Sequence, residues 1–166
     1  MHASFMPAIG VGQACATYVG KYLGEKKPNK AERSIWESIR IAEYIMGTMG
    51  VLFILFPHFF LSFFTQDTQV LEMGIPGLRI LGVLQFVDAV GLPLWFSLTA
   101  AGNTLFPAVT EVLILWLWSI PLSLFLGVYM GLGFFGSLIP LVVHYLSFAL
   151  ILGWKIKKGT WKEIEI

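Results

Sequence analysis

The chain has 166 residues, of which 57% are hydrophobic and only 13% charged, and its mean hydropathy is +0.77. Soluble domains carry about 25% charged residues, so this composition excludes a chain that covers itself with a water-facing surface and points to a bilayer. A single cysteine, Cys15, excludes an internal disulfide and any multi-cysteine metal site, and a net charge of +1 says nothing about nucleic acid until the charges are located.

Five stretches reach the roughly 20 residues that cross a hydrocarbon layer about 30 Å thick. They lack the period-2 alternation of barrel strands, and lipid requires each backbone polar group to bond within its own segment, so all five are read as α-helices. Met1-His2-Ala3-Ser4 lacks the basic flank of a secretory signal, and the first span, about residues 3–23, begins almost at once. Ala8, Gly12, Ala16 and Gly20 recur every four positions, a stripe of small residues that lets a neighbouring backbone come close. Tight packing is the simpler use of that stripe; a hinge or a substrate wall is the other, and Pro7, Gly10 and Gly12 also weaken helix geometry there. Gln13 is the one strong hydrogen-bonding side chain of the span and a candidate for a cavity lining.

The connection that follows is basic. Asn29 is placed to cap a helix, with Glu32 three residues on completing a capping box, and that helix leads into the second span, about 41–64. His58, beside Pro57, has no evident partner and is read as packing or interfacial. Thr65-Gln66-Asp67-Thr68 offers acceptors for the first turn of a separate short helix on the opposite side.

The third span, about 77–101, holds the main functional clue. Asp88 sits in the middle of a long apolar run in which Gln85 is the only other strongly polar side chain before Ser97. A carboxylate at the bilayer centre costs roughly 2.5 to 3.5 kcal/mol on the insertion scale, so it faces a protein interior or a wet cavity and marks an ion or substrate site; a carboxylate bonded to a neighbouring helix for packing is the bland alternative. Pro93 cannot donate to the carbonyl of Ala89, which leaves an oxygen free one residue from the carboxylate. Hard cations prefer clustered oxygens, and broken helices in transporters often supply them. At about 100° per residue, Gln85, Asp88, Thr99 and Asn103 fall in one sector of the helix.

Glu111 is a second intramembrane acid, four residues after Pro107 in the fourth span, about 107–130. It is read as snorkelling, or as a charge favoured by the dipole at the helix start. Trp95, Trp116 and Trp118 could stack on aromatic cations or simply pack against lipid and helices. Gly131-Leu132-Gly133-Phe134-Phe135-Gly136 satisfies G-x-G-x-x-G, but the strand and βαβ unit of a dinucleotide site are missing, so these glycines are read as the turn into the fifth span, about 134–156. His144 in that span is a single imidazole read as packing. No hydrolase, zinc-protease or phosphate-loop pattern occurs, so the chain is not expected to be an enzyme or to hold a cofactor.

Ten of the eleven basic residues lie in the first connection or after the fifth span, and only Arg79 lies at the other end. The excess of Lys and Arg in short cytoplasmic loops then puts the C-terminal tail, 157–166, in the cytoplasm and the N-terminus outside, with Trp154 and Trp161 in an interfacial belt. The basic run is a solvated loop that fixes topology, not a nucleic-acid surface.

Several ordered segments resemble a known family. Pro7-Ala8-Ile9-Gly10-Val11-Gly12-Gln13-Ala14, Val19-Gly20-Lys21-Tyr22-Leu23-Gly24, and Pro28 with Ala31-Glu32-Arg33 are similar to the repeated-half signature of multidrug and toxic compound extrusion (MATE) transporters. Phe63-Phe64-Thr65-Gln66-Asp67 with Val70, Gln85-Phe86-Val87-Asp88-Ala89, and Ala100-Ala101-Gly102-Asn103-Thr104 with Pro107 resemble the later part of that family's C-terminal half. The resemblance implies an all-α membrane protein, its five spans forming most of one six-helix lobe of a twelve-span transporter. The chain would then be a fragment or truncated product, inactive alone for want of its N-terminal lobe.

The resemblance also implies a parent that exports organic or cationic drugs by antiport with Na⁺ or H⁺ across the plasma or inner membrane. Its C-terminal lobe carries a coupling acid in the helix that corresponds to the third span. Asp88 with Gln85 and Ala89 would be the coupling group, Na⁺ the one metal that could bind there, and Gln13, Thr99, Asn103 and Trp95 the cavity lining. A lipid-linked precursor flippase is the nearest transport alternative, although it would call for a more cationic cavity, and a non-transporting five-span scaffold or accessory subunit is the alternative of another class.

Overall fold

The computed structural model of the chain describes residues 2–163; expectations for Met1 and for the last three residues of the tail lie outside the described residues. The chain is all-α. Helix α1 spans His2–Gly24, α2 Pro28–Leu55, α3 Pro57–Ser62 and α4 Thr68–Ala100. A rod from Leu105 to Tyr129 follows, in which α5 (Leu105–Leu113) and α6 (Ile120–Leu124) are each succeeded by a π-helical segment, Ile114–Ser119 and Phe125–Tyr129. Helix α7, Gly133–Lys158, and a final 3₁₀ turn, Thr160–Glu163, close the order.

By length and composition, α2, α4, the Leu105–Tyr129 rod and α7 can each cross a membrane. Helix α1, at 23 residues, is long enough but is not one of these four; it packs against α2 and α4.

Boundaries differ from the sequence reading where proline intervenes. The second span stops at Leu55: Pro57 lacks an N–H and disfavours helical geometry at Phe56, which sits at φ −122°, ψ 45°. The residues that follow form the separate short helix α3. At the other end α2 starts at Pro28, with Lys27 in the cap position and no side-chain cap bond, so Asn29 is already inside the helix and no capping box forms. The separate helix expected after Thr65 is instead the first two turns of α4. Asp67 caps it by accepting from the Gln69 N–H at 2.9 Å, and Thr65 Oγ1 accepts from the Asp67 N–H at 3.2 Å. Asp67→Ala is therefore expected to destabilise the fold by about 1 kcal/mol, seen as a lower thermal midpoint in detergent, whereas Asp67→Asn retains most of the cap.

At 33 residues, or about 50 Å, α4 exceeds the hydrocarbon thickness and is the central element, packed against α1, α2, α3 and α7. Pro76 and Pro93 lie within it without ending it, since its neighbours hold it on several sides. Toward its C-terminus Leu94 and Leu98 join Cys15 and Val19 of α1, Ile35 of α2, and Leu152 and Ile156 of α7 in one buried cluster.

Trp161 is fully buried in the same cluster, and its indole donates to the Ile156 carbonyl at 2.9 Å. The next residue, Lys162, pairs with Glu32 at the start of α2. The two basic groups of the sequence thus occupy one end of the bundle. Trp161 is a core residue there rather than a member of an interfacial belt, because the turn at Gly159 folds it back under α7.

The stripe on α1 is only half used. Gly12 lies against the Phe96 ring, while Gly20 has open space beside it. Steps of four residues drift about 40° each on a helix, and the buried face follows Ala8, Gly12, Cys15 and Val19 instead. At the opposite end Gly131 and Gly133, both at positive φ (68° and 52°), make the turn between the rod and α7. Gly136 then abuts the Leu126 backbone, closing this hairpin.

Candidate functional site

Asp88 lies midway along α4, about 18 Å of helix from its end at Ala100. It is 4% exposed, and Oδ2 has no hydrogen-bond partner among the described residues. A buried polar atom left without a partner costs about 1–3 kcal/mol, more when charged, so this oxygen is held in place against the interests of stability.

The carboxylate lines a cavity of about 310 Å³ with Ile9 of α1, Gly91, Leu92 and Trp95 of α4, Glu111 of α5, and Tyr145 and Phe148 of α7. Four helices thus meet at it. Trp95 and Phe148 contact edge to face at 6.4 Å, and with Tyr145 they form an aromatic wall in the cavity that also holds the two acids. Among the described residues no three His, Cys, Asp or Glu side chains converge as a metal-binding group. The oxygens at hand are those of two carboxylates and a phenol, a set that suits a proton, a monovalent ion or an organic cation.

The structure distributes the residues grouped by the sequence over several surroundings. Gln85, three residues before Asp88 and about 60° from it around the helix, is buried with its Cβ beside Gly50 of α2. Ala89 is packed with Ala8, Ala42 and Met46 between α1 and α2. Thr99 is exposed and donates to the Trp95 carbonyl of its own helix at 2.9 Å. Asn103 lies past the end of α4, where its N–H closes a turn on the Leu98 carbonyl at 2.9 Å. Gln13 is exposed on α1 and outside the cavity lining. Of the candidates, Asp88, Trp95 and Glu111 come together.

Two residues change character. Glu111 does not cap its helix: Oε1 lies 3.1 Å from His144 Nε2, and His144 Nδ1 lies 2.9 Å from Ser119 Oγ. His144 is accordingly buried and bonded at both nitrogens. Trp116 and Trp118, by contrast, are exposed on the outer face of the rod and away from the cavity. His58 is exposed in α3, on the outside of the bundle.

Known proteins resemble the chain in sequence and fold. A family model described as MatE matches residues 2–125. A probable multidrug resistance protein NorM of Thermotoga maritima is 27% identical over 160 residues, covering 96% of this chain and 34% of the relative. A probable NorM of Caulobacter vibrioides is 30% identical over 163 residues, again covering 96% of this chain and 34% of the relative. The chain therefore spans about a third of the length of these relatives. A solved inward-facing multidrug resistance MATE family transporter of the MOP superfamily superposes with a TM-score of 0.82 over 99% of this chain and 39% of that one; at 19% identity it establishes a shared fold.

Proposed function

The chain belongs to the MatE family, and on that premise we propose that it is most of the C-terminal lobe of a multi-pass membrane transporter that exports small organic compounds, cations among them, by antiport with Na⁺ or H⁺. The observation that carries this reading is the Asp88 carboxylate, its Oδ2 without a hydrogen-bond partner among the described residues, buried at mid-helix in a cavity it shares with Glu111 and an aromatic wall. Transport sites lie near the bilayer midplane between rocking bundles, and a position well inside the long helix α4 supports reading Asp88 as such a site.

In this mechanism the carboxylate binds the coupling ion from one side, and its neutralisation removes the electrostatic hold on a cationic substrate. Trp95, Tyr145 and Phe148 offer ring faces that attract an organic cation at about 0.5–2 kcal/mol each. A second lobe, the partner that the lengths of the relatives imply, would supply the opposite wall. The basic end, with Lys21, Lys26, Lys27 and the end of α7, faces the cytoplasm under the positive-inside rule, and the outer face of the Leu105–Tyr129 rod meets lipid.

The test is reconstitution in proteoliposomes of the chain joined to the remainder of its transporter, loaded with a fluorescent organic cation. An imposed Na⁺ or H⁺ gradient is expected to accelerate efflux, and an ionophore specific for the coupling ion to abolish the acceleration. Efflux indifferent to both gradients would overturn antiport.

A further inference from the structure

Glu111 lines two cavities. Besides the one at Asp88 it borders a second, of about 320 Å³, lined with Ser119, Ser123 and Ser137 and lying toward the turn between the rod and α7. Tyr145 and Glu111 belong to both walls, and His144, buried, lines the second with Ser119 on one ring nitrogen and Glu111 on the other. We propose that Ser119, His144 and Glu111 form a proton relay between the two cavities, so that the lobe holds a second proton-binding site in addition to Asp88. The delivery end of this relay rests on the reading of Asp88 as the coupling group; the proton site itself does not.

The relay balances without any further reactant than a proton from water. With His144 neutral and protonated on Nε2, Nδ1 accepts from the Ser119 hydroxyl. A proton arriving from water in the serine-lined cavity forms a new O–H on Ser119 Oγ as the old one breaks and its proton forms N–H at Nδ1. The Nε2–H then breaks and its proton forms O–H on Glu111 Oε1, which leaves the ring neutral in its other tautomer. Water in the first cavity takes the proton from Glu111 to Asp88. A buried imidazole bonded on one side only could not do this.

The groups that face His144 are few. Helix α5 presents Glu111 and α7 itself presents Tyr145, both shared with the neighbouring cavity in which α4 presents Asp88; the first π segment and α6 bring the hydroxyls of Ser119 and Ser123. Packing alone would be served by one hydrogen bond and an apolar wall, which Phe148 already supplies by stacking on the ring at 6.5 Å.

The experiment uses this chain in phospholipid nanodiscs, ¹⁵N-labelled at histidine and titrated from about pH 5 to about pH 8. His144 is assigned by its loss in His144→Gln. Both neutral tautomers of its ring are expected in the spectrum, as the relay requires. Glu111→Gln is expected to shift the balance away from the Nε2–H tautomer, and Ser119→Ala to alter it from the Nδ1 side. Glu111→Asp serves as the variant that keeps the charge. A ring fixed in one neutral tautomer throughout, or a tautomer balance identical in Glu111→Gln, would overturn the relay. Asp88→Asn separates the two readings: coupled export that survives it defeats Asp88 as the coupling group, whereas the His144 tautomers are judged on the nitrogen spectrum alone.

Discussion

Asp88→Asn is expected to reduce gradient-driven efflux by about 5- to 150-fold in the complete transporter, the range that follows from a coupling free energy of about 1–3 kcal/mol between ion and substrate. Asparagine keeps the shape and a carbonyl oxygen but cannot exchange a proton or hold an ion by charge. The fold should survive the change, because Oδ2 has no partner to lose among the described residues and the carboxylate is the costlier group to bury. Loss of transport together with an unchanged or raised thermal midpoint is therefore the expected pair of results. The opposite pair, intact transport with a lowered midpoint, would mean that Asp88 serves packing. Substrate binding without a gradient, measured by equilibrium quenching, should also weaken if the cation sits directly against this acid.

That prediction rests on a residue the sequence already exposed, and the reason is the solvent. In lipid one carboxylate in a long apolar run is conspicuous, whereas in a soluble chain it would be lost among surface charges. The number and type of the long helices were legible for the same reason: hydrocarbon thickness and backbone satisfaction leave few options. What surrounds Asp88 was less legible. Helical periodicity along α4 joins it to Gln85, Thr99 and Asn103, but Gln85 packs by Gly50 of α2, Thr99 is exposed and Asn103 lies past the helix. Periodicity gives direction around an axis and says nothing of which neighbour stands there.

The Ser119–His144 pair was within reach, since Ser119 and His144 each lie twelve residues from the Gly131–Leu132 step and an antiparallel hairpin sets them opposite. Glu111 lies eight residues before Ser119, and its contact with the same ring is not given by that register. Single imidazoles and acids looked isolated because their partners are on other helices. The break at Phe56-Pro57 was, by contrast, written in the sequence and was overridden only by the apolar run that continues through it.

The second large effect is expected at a contact that the small-residue stripe of α1 did not reveal. Helices α2 and α4 cross at Gly50 and Gly82, backbone on backbone: a Cβ on Gly50 would sit 2.5 Å from the Gly82 carbonyl oxygen, and one on Gly82 would sit 2.7 Å from the Gly50 carbonyl oxygen. Neither obstacle is a side chain that can rotate away, so the helices must part. Close approach of small residues is the main source of helix association where lipid offers no hydrophobic drive. Gly50→Ala is expected to cost at least the roughly 1–3 kcal/mol typical of overpacking, and Gly50→Leu more, with a corresponding fall in thermal midpoint. Because Gln85 and Asp88 follow Gly82 by one and two turns, the same variants should also weaken coupled transport through the position of α4. Gly20→Ala is the internal control: its Cβ meets nothing within 4 Å, so the gain in helix propensity, about 1 kcal/mol, should leave the protein equal or more stable. Equal midpoints for Gly50→Ala and Gly20→Ala would show that the α2–α4 crossing is looser than its backbone contacts require.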